Sequence, residues 1–121
     1  MRNAVLTCIF FLPFITLFVA NHLFFPFITG KNFAFRIIVE VITILWFILA
    51  LRDKSVLPKS SKLLWAFVAF VGVIFVSDIF SPNAYKSFWS NYERMEGWVT
   101  LAHLFALFVV TSSVMTKKVW E

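Results

Sequence analysis

At 121 residues, 61% hydrophobic and only 14% charged, the chain has too few polar side chains to cover a soluble globule, since average proteins carry about 25% charged residues. Its formal charge of +5 comes from eleven Lys and Arg scattered among short connectors, and without a basic stripe these exclude a nucleic-acid partner. The lone Cys8 lies in an apolar run, and His22 and His103 stand far apart, so no disulfide, metal site or cofactor is expected.

Apolar runs with charges confined to their ends read as spanning helices, because backbone polar groups left unpaired in lipid are too costly. The expected fold class is therefore all-α: one polytopic membrane domain of four transmembrane helices, with a short interfacial helix between the third and fourth. The first run covers residues 4–25. It exceeds a signal peptide's apolar core, and Phe18-Val19-Ala20 puts a bulky residue where cleavage wants a small one. It is expected to remain as a span, kinked at Pro13, with Asn21 and His22 closing it.

The second run, residues 33–51, contains Arg36 and Glu40. An ionised residue near mid-span costs about 2.5–3.5 kcal/mol on insertion scales, so Glu40 needs a reason to be there. It is either a site for an ion, a proton or a charged lipid head, or half of an i,i+4 pair whose Arg36 snorkels to water. The pair is the favoured reading, and Thr43 continues the same face. A cationic connector with Arg52, Lys54, Lys59 and Lys62, broken by Pro58, leads to the third run, residues 63–80. There Ala66, Ala69 and Gly72 offer a stripe of small residues for close helix approach, and Ser77 and Asp78 mark the end.

Residues 81–97 are the one stretch that is neither lipid-like nor a plain connector. Ser81 is a good N-cap and Pro82 suits a first helical position. Tyr85, Phe88, Trp89 and Tyr92 fall at i, i+3, i+4 and i+7, one helical face. Asn83, Lys86, Ser87, Ser90, Asn91 and Arg94 lie opposite. The pattern predicts an interfacial helix with an aromatic anchor. It is either a simple anchored connector or a cationic face on which Lys86 and Arg94, together with Arg36, contact the phosphates of a lipid carrier. The fourth run, residues 98–115, holds His103 one turn after Thr100. A neutral histidine bonded to a neighbouring helix is favoured there over a proton relay.

Arg2, Arg52, Lys54, Lys59, Lys62, Lys117 and Lys118 would share one side of the membrane, against Lys31, Arg36, Lys86 and Arg94 on the other. Seven against four puts both termini in the cytoplasm by the positive-inside rule. Residues 81–97 then face outward, which in a bacterium is the periplasm.

The run SFWSNYERMEGWVTLAHLFA, following FPFITGKNFAFRIIVEVITILWFILALRD, resembles the N-terminal part of bacterial O-antigen ligase-like membrane proteins. These stand with the O-antigen polymerases among membrane glycosyltransferases. The resemblance covers residues 25–115 and is most specific over 88–97. It implies a multi-pass inner-membrane protein that transfers or polymerises glycans carried on undecaprenyl pyrophosphate, at the periplasmic face and without a metal ion. The family's catalytic and pyrophosphate-binding arginines and histidine belong to later spans and a large periplasmic loop, so no catalytic residue is carried over. The partners implied are the bilayer, the lipid-linked glycan and the remaining helices of a longer parent. Residues 116–121 read as a connector cut before another span, and the expectation is an N-terminal portion not active alone. The alternatives are a complete four-span transporter, such as a proton-coupled exporter working as a dimer, or a structural membrane subunit. For the exporter, an acidic residue neutralised by Arg36 would make a poor proton carrier.

Overall fold

In a computed structural model the described residues are 1–17, 28–90 and 96–115. Their regular structure is entirely helical, with no strand among the described residues. Helix α1 covers Arg2–Phe11 and passes into a 3-10 turn over Leu12–Leu17. The change of helix type falls where Pro13 lacks the N–H that would bond the carbonyl of Ile9. The expected kink at Pro13 thus takes the form of a tighter helix; residues 18–27 of that run lie outside the described residues.

Helix α2, Thr29–Arg52, has 24 residues and a length of about 36 Å. It begins four residues ahead of the expected span, which leaves Glu40 near the middle of the helix and Arg36 two turns from its start. Beyond α2 the chain turns tightly. Asp53 accepts the N–H of Ser55 at 2.9 Å, the indole N–H of Trp46 donates to the Val56 carbonyl at 3.4 Å, and Val56 is buried. Ser61 then caps α3, Lys62–Ile79, by accepting the N–H of Leu64.

Helix α4 is short, Ala84–Trp89, and α5 runs Trp98–Val114. The N-cap of α4 is Asn83, whose side chain accepts the Lys86 N–H at 3.2 Å. Ser81, the expected cap, is engaged with the Ser87 hydroxyl at 2.9 Å instead. Ser90 adopts φ 62° and ends the helix after Trp89, because a left-handed residue cannot continue a right-handed turn.

Helices α2 and α5 pack side by side in the same direction, Arg36 beside Thr100 and Glu40 beside His103. Helix α1 lies against both, antiparallel to α2, with Cys8 beside Val41 and Phe14 beside Ala34. Helix α3 runs antiparallel to α5, where Phe67 meets Phe105 and Phe108 edge-on at 5.3 and 5.2 Å. The core of Val5, Ile9, Ile42, Val56, Val110 and Val114 lies toward one end of the bundle, with the start of α1, the turn after α2 and the end of α5. The starts of α2 and α5, the end of α3, and α4 form the other end.

Two helices, α2 and α3, are long and apolar enough to cross a membrane; the segment Arg2–Leu17 and α5 are shorter apolar helices. Of α3 only Val71 is buried. The stripe of Ala66, Ala69 and Gly72 is exposed, and a Cβ added to Gly72 would meet nothing within 4 Å. Within this chain the stripe therefore serves no close helix approach, and aromatic side chains make the α3–α5 contact instead.

Candidate functional site

The polar groups of the bundle converge along the seam between α2 and α5. Arg36, Glu40 and Thr43 stand at i, i+4 and i+7 on one face of α2, and Thr100 and His103 at i and i+3 on α5. Because the two helices run in the same direction, these two short series come into register. The guanidinium of Arg36, only 7% exposed, donates through Nη2 to the Thr100 hydroxyl at 2.8 Å. One turn further along, Nε2 of His103 lies 3.2 Å from Oε1 of Glu40, whose side chain is exposed. The other ring nitrogen, Nδ1, donates to the Val99 carbonyl at 2.6 Å. Thr43 turns its hydroxyl back to the Val39 carbonyl at 2.7 Å. A mostly apolar cleft of about 340 Å³ opens beside Glu40 and His103.

This arrangement replaces the expected Arg36–Glu40 pair along one helix. The carboxylate's ion-pair partner is His103, while Arg36 reaches across to α5. Burial explains the choice. A guanidinium out of water needs acceptors for its donors, and the Thr100 hydroxyl lies on the facing helix. His103 does bond a neighbouring helix, as expected, but its partner is a carboxylate. The signal for both contacts was in the sequence as matching spacings, 36/40 and 100/103; what it lacked was the relative direction and register of the helices.

The segment from Ser81 to Ser90 is organised differently from its helical pattern. Phe88 turns inward, into an aromatic cluster with Phe75 and Trp98 at centroid distances of 5.6 and 5.7 Å, while Phe75 and Trp98 are 4.8 Å apart. The Trp98 indole N–H donates to the Val71 carbonyl at 3.3 Å. A Cβ on Gly97 would collide with the carbonyl of Phe88, so glycine there allows α4 to fold down onto the start of α5. Tyr85 and Trp89 stay exposed, and the anchor is thus split between an inward Phe88 and outward Tyr85 and Trp89. Tyr92 lies outside the described residues.

Of the cations proposed for phosphate contact, Lys86 is exposed on α4, Arg36 is buried behind it in the seam, and Arg94 lies outside the described residues. No group of three or more metal-binding side chains occurs among the described residues. Neither Trp98 nor Gly97 was singled out from sequence as a packing element, although a glycine preceding a tryptophan at a helix start is a visible cue for close approach. No family model matches the chain, and no curated protein or solved structure shows a detectable match to it.

Proposed function

We propose that the chain is a four-span bacterial inner-membrane unit and the N-terminal portion of an O-antigen ligase-like glycosyltransferase. In this reading α2 and α3 cross the bilayer fully, the apolar segment from Arg2 and α5 complete two more crossings, and both termini are cytoplasmic. The observation that carries the membrane reading is α3. A soluble core helix would be largely buried, whereas this apolar helix turns nearly every side chain outward, as lipid allows.

The outward end then presents α4 to the headgroup region, with Lys86 exposed among Asn83, Ser81 and Ser87. A pyrophosphate linking an undecaprenyl chain to a glycan fits such a place: its apolar chain lies along α3 and its phosphates meet Lys86, with Arg94 a second contact candidate from sequence alone. Cations so placed would offset the charge that develops as the sugar leaves its pyrophosphate. The residues performing transfer belong to helices beyond this chain. A second reading, a complete small proton-coupled transporter, gains from one observation: Glu40 is engaged by His103 rather than neutralised along its own helix by Arg36.

Binding of undecaprenyl pyrophosphate to the chain in lipid nanodiscs, with undecaprenol as control, tests the first reading. The expected result is preference for the pyrophosphate, weakened about tenfold by Lys86→Gln, as loss of one charge-assisted hydrogen bond implies. Equal binding of the two lipids would refute it. In sealed membrane vesicles of known orientation, a Ser90→Cys variant should react with an impermeant thiol reagent only from the extracytoplasmic side.

A further inference from the structure

We propose that Glu40 and His103 form a binding site for one proton, held between Oε1 and Nε2 in the seam of α2 and α5. The assignment follows from donors and acceptors. A backbone carbonyl has no hydrogen to give, so Nδ1 of His103 must carry the proton it shares with the Val99 oxygen. In a neutral imidazole only one ring nitrogen is protonated, which leaves Nε2 a bare acceptor. Oε1 of Glu40 lies 3.2 Å away, and an ionised carboxylate also only accepts.

Two lone pairs would therefore face each other at hydrogen-bond distance. One added proton removes the conflict, as imidazolium against carboxylate or as imidazole against carboxylic acid. The count is the same in both forms. Uptake moves one proton from solvent to the pair and alters no other bond.

The nearest other charge is Arg36, one turn away on α2, and it interacts electrostatically with Glu40. Val39, Thr43, Ile44, Ala102 and Ala106 flank the cleft, and none of them titrates. The other titratable and charged groups on the packed elements are Lys31, Arg36 and Arg52 on α2 and Glu96 just ahead of α5. Arg2 and Cys8 lie on α1, and Lys62 and Asp78 near the ends of α3. None of these donates to Glu40 or His103 among the described residues.

Glu40 sits midway along α2, roughly 17 Å from either end of the helix. The Glu40 side chain is 62% exposed and that of His103 16%, so on the membrane reading of α2 the carboxylate faces lipid, where unsatisfied acceptors cost most. Occupancy therefore couples to helix contact: the proton clasps α2 to α5, and its release pushes them apart at this level. The juxtaposition stands on its own geometry, while the low dielectric around it rests on the membrane reading proposed above.

Nitrogen-15 NMR of the histidine rings, on the full chain in nanodiscs and over about pH 5 to 9, tests this across the range where imidazole changes charge. A His22→Asn variant identifies the His103 signals. Nδ1 should stay protonated throughout, while Nε2 gains its proton as pH falls. Amide protection over residues 99–106 should rise about tenfold with the proton bound, as expected for one hydrogen bond to a charged group. In Glu40→Gln the amide N–H donates to Nε2 without an added proton, so this protection should no longer depend on pH. An Nε2–H tautomer at high pH, flat protection in the unmodified chain, or unchanged pH dependence in Glu40→Gln would each overturn the proposal. The tautomer is read on the unmodified chain, so the test holds even if the variant fails to fold.

Discussion

A guanidinium 7% exposed in an apolar bundle is stable only if its donors are matched, and this makes Arg36 the residue on which the α2–α5 seam depends. Its bond to Thr100 links two helices 64 positions apart in sequence. Hydrogen bonds to charged groups contribute about 1.5–3 kcal/mol. Thr100→Val keeps the shape of the side chain while removing the acceptor, and should destabilise the bundle by about that amount. Unfolding of the purified chain in bicelles measures it. Thr100→Ser should retain most of the stability, which separates the hydroxyl's role from that of the methyl group.

Asp53 shows the same chemistry in a solvated setting. Its carboxyl is held below the ordinary carboxylate range, first by the Ser55 side chain and then by the Ser55 backbone N–H. A carboxyl lowered in the folded state supports its turn above its unfolded value of about 3.9, and that support is lost as pH falls through the folded value. Because Asp53 is exposed, the effect is local. The Ser55 amide resonance should shift as pH drops below about 4, and Asp53→Asn should abolish the change.

At the scale of elements, the two glycines Gly72 and Gly97 make opposite demands. Gly97 lies against the carbonyl of Phe88, where any Cβ would collide with backbone. Gly97→Ala should therefore separate α4 from α5, disturb the Phe75–Phe88–Trp98 cluster and cost about 1–3 kcal/mol, the usual penalty of overpacking. Gly72 is mid-helix with open space around its Cα, so Gly72→Ala should be neutral or stabilising by up to about 1 kcal/mol. The indole N–H resonance of Trp98, which is bonded to the Val71 carbonyl, and thermal unfolding of both variants decide the matter. The short α4 illustrates why helical periodicity misled there. The spacing of Tyr85, Phe88, Trp89 and Tyr92 assumes one continuous helix, and Ser90 at positive φ interrupts it.

For the whole molecule, the amino-acid sequence by itself determined the class and the helices. Long apolar runs bounded by polar connectors leave the backbone no partner but itself, so the all-helical structure and the positions of α2, α3 and α5 were legible within a few residues. The connector after α2 was equally visible, from Pro58 and its cations, while the tight turn made by Asp53, Ser55 and the Trp46–Val56 bond was not. Glu40, His103 and Arg36 were identifiable as residues that need partners, since ionisable groups in apolar helices are costly. Which partners they take was decided only by the tertiary structure. Apolar helices look alike on all sides, so nothing local tells that α2 and α5 run in the same direction or that 36 meets 100 and 40 meets 103. The same holds for Phe88, whose ring suits lipid or protein equally and is drawn inward because Gly97 lets α4 approach. Residue chemistry fixes what must be satisfied, and helix direction and register, set by packing across the chain, fix what satisfies it.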